Sequence, residues 1–201
     1  MKVRGGTFRE RIAAGQYSID SGITAFIGRK GSGAAGLSYL VSGCCPLSGC
    51  SVSIDGRPLT QRELSRISCL MAPMPGFKGM LTAKQLLRLG IRHNKSAGYD
   101  AAAVAEKFSL TPERMERKLQ YNGNERYRAA AAVGYAYGKR IYSMGYMEDY
   151  MFQKNYKACL IPYLELLRDE GMTVVLAADS AEFAEKLADH IYYFDKEEQK
   201  C

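Results

Sequence analysis

The stretch Gly28-Arg29-Lys30-Gly31-Ser32-Gly33-Ala34-Ala35 keeps both framing glycines of a G-x-x-x-x-G-K-[ST] turn at their proper spacing. Backbone N–H groups of such a turn wrap a phosphate. Triphosphate chemistry needs two more groups: a lysine that puts a positive charge on the terminal phosphates, and a hydroxyl that ligates magnesium. Those two positions are Ala34 and Ala35. Amides at the start of the following helix can still attract an anion. Each lost charge-assisted partner costs ~1.5–3 kcal/mol, so losing both predicts magnesium–ATP binding weakened by orders of magnitude.

A glycine turn of this kind means something only between a strand and a helix, and the flanking residues read that way. Ile23–Ile27 (ITAFI) is a short apolar run entering the turn, and Ala34–Val41 reads as a helix leaving it. Ser51–Ile54 alternates like a strand ahead of an Asp55-Gly56 turn, and Ile67–Met71 is another short buried run. The middle third is helical. Thr82 with Gln85 forms a capping box, Asp100 caps an alanine-rich segment, and Thr111-Pro112 sets a cap and a proline at a helix start. Asn122 or Asn124 is a candidate cap for a helix carrying Arg126 to Tyr137, ended by Gly138. Strands and helices then alternate again. Arg140–Gly145 is a strand, Gln153–Glu170 a helix with Pro162 inside, Thr173–Ala177 a strand, Ala181–Ala188 a helix and Ile191–Phe194 a closing strand. This order predicts an α/β core in one domain spanning 1–201, with a helical insert at about 76–125.

Composition sets the outer limits. The 201 residues suffice for one large domain, and the apolar share of 47% and charged share of 24% are those of a globular protein. No run approaches the ~18 apolar residues of a membrane span, and the basic start Met1–Ile12 lacks the apolar stretch of a secretion signal, so a cytoplasmic protein is expected. Six cysteines are too scattered for a disulfide framework, and the cluster Cys44, Cys45 and Cys50 has no histidine at ligand spacing. The net charge of +7 favours acidic partners, but without a run of five Lys/Arg it predicts no nucleic-acid binding.

Beyond the turn, Gly22–Leu59 (GITAFIGRKGSGAAGLSYLVSGCCPLSGCSVSIDGRPL) resembles the opening of an ABC transporter ATP-binding subunit. Arg66–Met71 (RISCLM) resembles the strand before that family's glutamine loop, and Leu81-Thr82 with Leu86 its L-T-x-x-x-x-L helix start. Leu119–Ala132 falls at the signature helix, and Gly171–Ala188 resembles the final strand, switch-histidine turn and helix. The resemblance implies a phosphate-loop NTPase fold of ABC type: a three-layer core with an N-terminal β portion and a helical insert.

It also implies where the family's chemistry belongs, and there the residues differ. The glutamine position is Ala72. The signature position reads Leu119-Gln120-Tyr121-Asn122-Gly123-Asn124, with Tyr121 where a small serine is needed. The magnesium aspartate and the general base fall on Met144 and Gly145; a shifted register would recruit Glu148 and Asp149 in reversed order. The switch histidine is Asp179, which reads better as a helix cap. Lys30 or Arg29 is a partial substitute for the missing lysine or, more simply, a solvated basic residue. The expected remnant of a nucleotide site is Gly28, Lys30, Gly31, Ser32, Gly33, Ala34 and Ala35, with no catalytic residue, no metal ligand, weak ATP binding and little place for magnesium. In this family a groove beside the insert grips the transmembrane subunit. The matching stretch Leu70–Met80 offers Met74, Phe77 and Met80 as candidate permease contacts. The implied partners are a permease, a competent ATP-binding subunit, or both. Two alternatives are a weak ATPase with an unconventional site and a free-standing regulatory pseudo-ATPase.

Overall fold

The computed structural model describes residues 16–45, 50–71, 80–122, 125–148 and 157–194, the side chains of 157–159 excepted. Five strands form one sheet: β1 (Gly22–Gly28), β4 (Ser68–Leu70), β5 (Ile141–Met147), β6 (Thr173–Ala178) and β7 (His190–Phe194). Their order is β4-β5-β6-β1-β7 and every pairing is parallel. A parallel sheet is buried on both faces, which is why β1 and most of β6 are continuous apolar runs instead of alternating ones.

Strand periodicity divides the core in two. Phe26, Ile141 and Val175 face α1 (Ala34–Val41), packing with Ala34, Leu37 and Val41. Ile23, Ala25, Tyr142, Val174 and Leu176 face the other way. There they meet α6 (Arg126–Ala136) and α7 (Lys157–Asp169), the latter through Leu160, Leu164 and Leu167. The α6 helix is a run of small residues, Ala129 to Ala132, with no exposed face. Gly134 lets it approach the sheet: a Cβ there would stand 2.7 Å from Cys69 Sγ.

Off the sheet, β2 (Ser53–Ile54) and β3 (Arg57–Pro58) form a hairpin. Asp55 (φ 52°) and Gly56 (φ 75°) give it the doubly positive turn that matches strand twist. It leads into α2 (Gln61–Ile67), whose capping box joins Thr60 and Glu63. The Thr60 amide and then Arg57 hold the Glu63 carboxyl down at about 2. The connecting helices are α3 (Ala83–His93), α4 (Ala101–Lys107) and α5 (Pro112–Met115), capped by Thr82, Asp100 and Thr111 as their sequence implies. The short last helix α8 (Ala181–Ala184) precedes β7.

Several boundaries differ from the sequence reading. Ile67 ends α2 instead of opening a strand, because the Thr60-Gln61-Arg62-Glu63 capping box nucleates a helix there. Asn122 does not cap α6: it is fully buried, its Nδ2 donating to the Lys118 carbonyl, and Glu125 precedes the helix without a side-chain cap. Asn124 lies outside the described residues. The helix expected over Ala181–Ala188 stops at Ala184 and continues only as turns. Strand β5 runs to Met147, two residues past Gly145, through an irregularity that shapes the site.

Candidate functional site

Ligands of open α/β sheets lie beyond the carboxyl ends of the strands. Strand β1 delivers the glycine turn there. Ser32 N–H donates to the Arg29 carbonyl at 2.9 Å, closing the turn. Gly31 (φ 87°) and Gly33 (φ 101°) adopt left-handed backbone that a side chain would strain, and Gly33 leads directly into α1. Gly28 is required for a different reason: a Cβ there would stand 2.9 Å from the Phe194 Cβ of the neighbouring strand. Arg29, Lys30 and Gly31 are exposed, Ser32 is half-buried, and Gly33, Ala34 and Ala35 are buried. Ser32 Oγ accepts from the Ala34 amide at 3.4 Å, so the turn's own hydroxyl engages one of the N–H groups available to an anion. The Ala34 methyl belongs to the core cluster beneath α1, beside Phe26 and Leu37.

Helix α1 and strand β5 are joined by a buried serine pair. Ser143 Oγ donates to the Ser38 carbonyl at 2.6 Å, and Ser38 Oγ donates to the Met144 carbonyl; the two hydroxyl oxygens lie 2.7 Å apart. Beyond this staple the strand bulges. Ser143 pairs with Val175 and Tyr146 with Ala177, so three steps on β5 oppose two on β6. Gly145 accommodates the bulge against α1, where a Cβ would lie 3.0 Å from the Tyr39 ring. The extra residue reverses the facing of everything after it. Met144 and Met147 both point into the core on the far side, while Tyr146 follows Gly145 onto the α1 side. The Tyr146 hydroxyl donates to the Gly28 carbonyl at 3.2 Å. Strands β5 and β1 are two strand spacings apart, ~9.5 Å, so the phenol spans the end of β6 to reach the turn. The small Ala177, in register with both Tyr146 and Phe26, leaves room for it.

The other singled-out positions distribute as follows. Glu148 immediately follows β5 and is half-buried. Asp179 follows β6 and is exposed, but the cap of α8 is Ser180, whose Oγ accepts from the Glu182 amide at 3.3 Å; the capping role given to Asp179 belongs one residue later. Tyr121 closes the short turn Leu119–Tyr121 and is 65% exposed. Met80 is exposed, its Sδ accepting from Gln120 Nε2 at 3.8 Å. Met74, Phe77, Ala72, Gly123, Asn124 and Asp149 lie outside the described residues. Gly28, Ser32, Ala34 and Tyr146 therefore meet at one edge of the sheet, with Glu148 and Asp179 at the adjoining strand ends. The sequence reading passed over Tyr39, Ser143 and Tyr146. The available signal was Ser143 and Gly145 within an otherwise apolar strand, both unsuited to a regular buried ladder.

A cavity of about 1730 Å³ opens at the opposite, amino-terminal edge, between the β2–β3 hairpin and the sheet, with Leu40, Leu59, Ile141 and Thr173 in its wall. None of the residues Gly28 to Ala35 lines it. No helix among the described residues is long and apolar enough to cross a membrane. No three His, Cys, Asp or Glu side chains among them converge as metal ligands.

No family model matches the sequence, and no curated protein sequence matches it. Solved structures do. A dimeric bacterial ABC transporter cassette aligns over 89% of this chain and 84% of its own, with a TM-score of 0.67 at 19% identity. The chain has the fold of an ABC transporter ATP-binding cassette. An ATP-binding subunit of an ABC transporter aligns over the same 89% and 77% of its own length at a TM-score of 0.59 and 14% identity. The ADP conformation of another such cassette covers 87% of this chain and 77% of its own, at a TM-score of 0.62 and 15% identity. In this fold the glycine turn lies between β1 and α1, the strand–turn–helix context that the sequence predicts.

Proposed function

We propose that this chain is a degenerate ABC cassette that does not hydrolyse ATP and acts as a structural or regulatory partner of a competent ATP-binding subunit or of a permease. The observation that carries the reading is at the start of α1, where two buried methyl groups, Ala34 and Ala35, replace the ammonium and the hydroxyl of a working loop. Phosphoryl transfer rests on positioning and on electrostatic stabilisation of the transferred group, and neither alanine contributes to them. The residues at this edge do not fit a magnesium-bound triphosphate. Ser32, the hydroxyl in the turn, engages the Ala34 amide, and the carboxylate nearest along β5 is Glu148, beyond Tyr146. The similar structures include a dimeric cassette and a transporter's ATP-binding subunit, which supports a second cassette or a permease as the partner. A cytoplasmic location follows from that partnership. Met80, with Met74 and Phe77 of the same stretch, is the proposed permease contact, and the segment at about 76–125 the proposed helical insert.

A thermal melt with magnesium–ATP tests the reading. A ligand at a hundred times its Kd raises stability by ~2.7 kcal/mol, so millimolar magnesium–ATP leaving the transition unmoved is the expected result, together with no phosphate release. Magnesium-dependent turnover by the purified chain would refute it. The retained left-handed glycines of the turn, with Lys30 exposed on it, favour one second reading: a cassette that binds nucleotide weakly without a conventional lysine. A small saturable shift, lost in Lys30→Ala, would select that reading.

A further inference from the structure

We propose that Tyr146 is an intramolecular occupant of the cleft above the glycine turn, holding it closed to a nucleoside triphosphate. The inference rests on the cassette reading of the turn and adds a second obstacle, independent of the missing lysine. Phosphates enclosed by a glycine turn extend outward from the carboxyl ends of the strands. The space between Gly28 and the end of β5, across β6, is where the outer end of such a chain would lie. The Tyr146 ring crosses that space and its hydroxyl caps the Gly28 carbonyl at 3.2 Å.

Three features keep it there. The β-bulge turns residue 146 to the α1 side; plain alternation from Ser143 would have sent it into the opposite core. Gly145 seats the bulge against Tyr39 of α1, so the strand cannot relax toward that helix. The serine pair Ser38–Ser143 fixes the strand to α1 just before the bulge. The ring therefore projects from a segment anchored on one side and bonded at its tip on the other. Restoring the loop's charge alone would leave the cleft filled.

The test uses the full chain with the loop restored by Ala34→Lys and Ala35→Ser, and reads magnesium–ATP affinity by isothermal titration. Adding Tyr146→Ala should tighten binding at least ~tenfold over the restored parent, while Tyr146→Phe, which keeps the ring, should stay close to it. Tyr146→Val, which suits a strand, reads the same quantity if the alanine variant does not fold. Equal affinities in the parent and in the Ala or Val variant, including no binding by either, would overturn the proposal. So would a Phe variant that binds as the Ala variant does, because then the hydroxyl and not the ring would close the cleft. These outcomes are separate from the fate of the non-hydrolysing reading, which falls only if the unmodified chain turns over ATP.

Discussion

Glu170→Gln should loosen the contact between the connecting helices and the sheet-packed helices without touching the glycine turn. Glu170 follows α7; its Oε1 pairs with Lys107 at the end of α4, and its Oε2 accepts from the Tyr135 hydroxyl of α6 at 2.7 Å. Lys107 Nζ also lies 3.4 Å from the same hydroxyl and 5.3 Å from the ring centroid, while Tyr99 stacks on Tyr135 at 5.2 Å and donates to its carbonyl. A hydrogen bond to a buried charge contributes ~1.5–3 kcal/mol. Here the Glu170 and Lys107 side chains are 31% and 35% exposed, so solvent screening reduces the loss on neutralising Glu170 to about 1 kcal/mol. For a domain of this size that is a fall of ~2–4 °C in Tm. The pH dependence has a definite sign. The Lys107 and Tyr135 contacts hold the Glu170 carboxyl below its ordinary value, so its stabilisation is complete above the unfolded carboxylate range and is lost as pH falls through the folded value. Lys107 is raised, chiefly by Glu170, so its share is complete below the usual lysine range and is lost as pH rises through the raised value. Melts followed by circular dichroism should show the variant less stable across the neutral range, with the gap closing in acid. Identical melts at pH 7, or a gap that persists in strong acid, would show that this cluster carries no electrostatic stability.

Two further substitutions probe the core that holds the site. Gly134→Ala puts a methyl 2.7 Å from Cys69 Sγ and 2.9 Å from the Tyr142 ring, between α6 and the sheet, and overpacking of this kind costs ~1–3 kcal/mol, measurable by urea denaturation. Ser143→Ala removes a buried donor from the Ser38 carbonyl and should cost about 1 kcal/mol; a neutral result would mean the α1–β5 staple is incidental.

The sequence was most readable where information is local. Thr82 with Gln85, Asp100 with Ala103, and Thr111 before Pro112 each cap a helix as expected, because a cap needs only its own first turn. The strand–turn–helix around Gly28 was equally plain, since positive φ at two loop positions demands glycine. The same logic held for Thr60 and Glu63, whose capping box is present in the sequence although α2 was overlooked. Asn122 misled because an amide is a good cap in isolation; burial of its side chain is a tertiary matter. The end of β5 was readable only as a hint. In Ile141–Met147 serine, glycine, tyrosine and methionine follow one another without a period, so Gly145 signals an irregular strand but nothing local says which residue is looped out. That single step decides whether Met147 or Tyr146 lies on the α1 side, toward the glycine turn.

On the proposed reading, the two departures at the glycine turn differ in kind. Replacing a lysine and a hydroxyl by alanines deletes groups that a folded core never required: Ala34 joins the apolar cluster with Phe26, Leu37 and Val175, and an ammonium at that point would have to be held clear of it. Placing Tyr146 across the end of β6 adds contacts and caps a carbonyl. Both changes favour packing over a charged, solvent-filled cleft, the direction that the proposed non-hydrolysing reading calls for. The sheet is indifferent to either, because the residues that pair β1, β6 and β5 lie beneath the cleft and keep their register up to Ser143. On the proposed reading the fold outlasts its chemistry: strand pairing and helix packing are specified in the interior, whereas phosphate chemistry depends on a few side chains at the strand ends, which can change with little cost to the core.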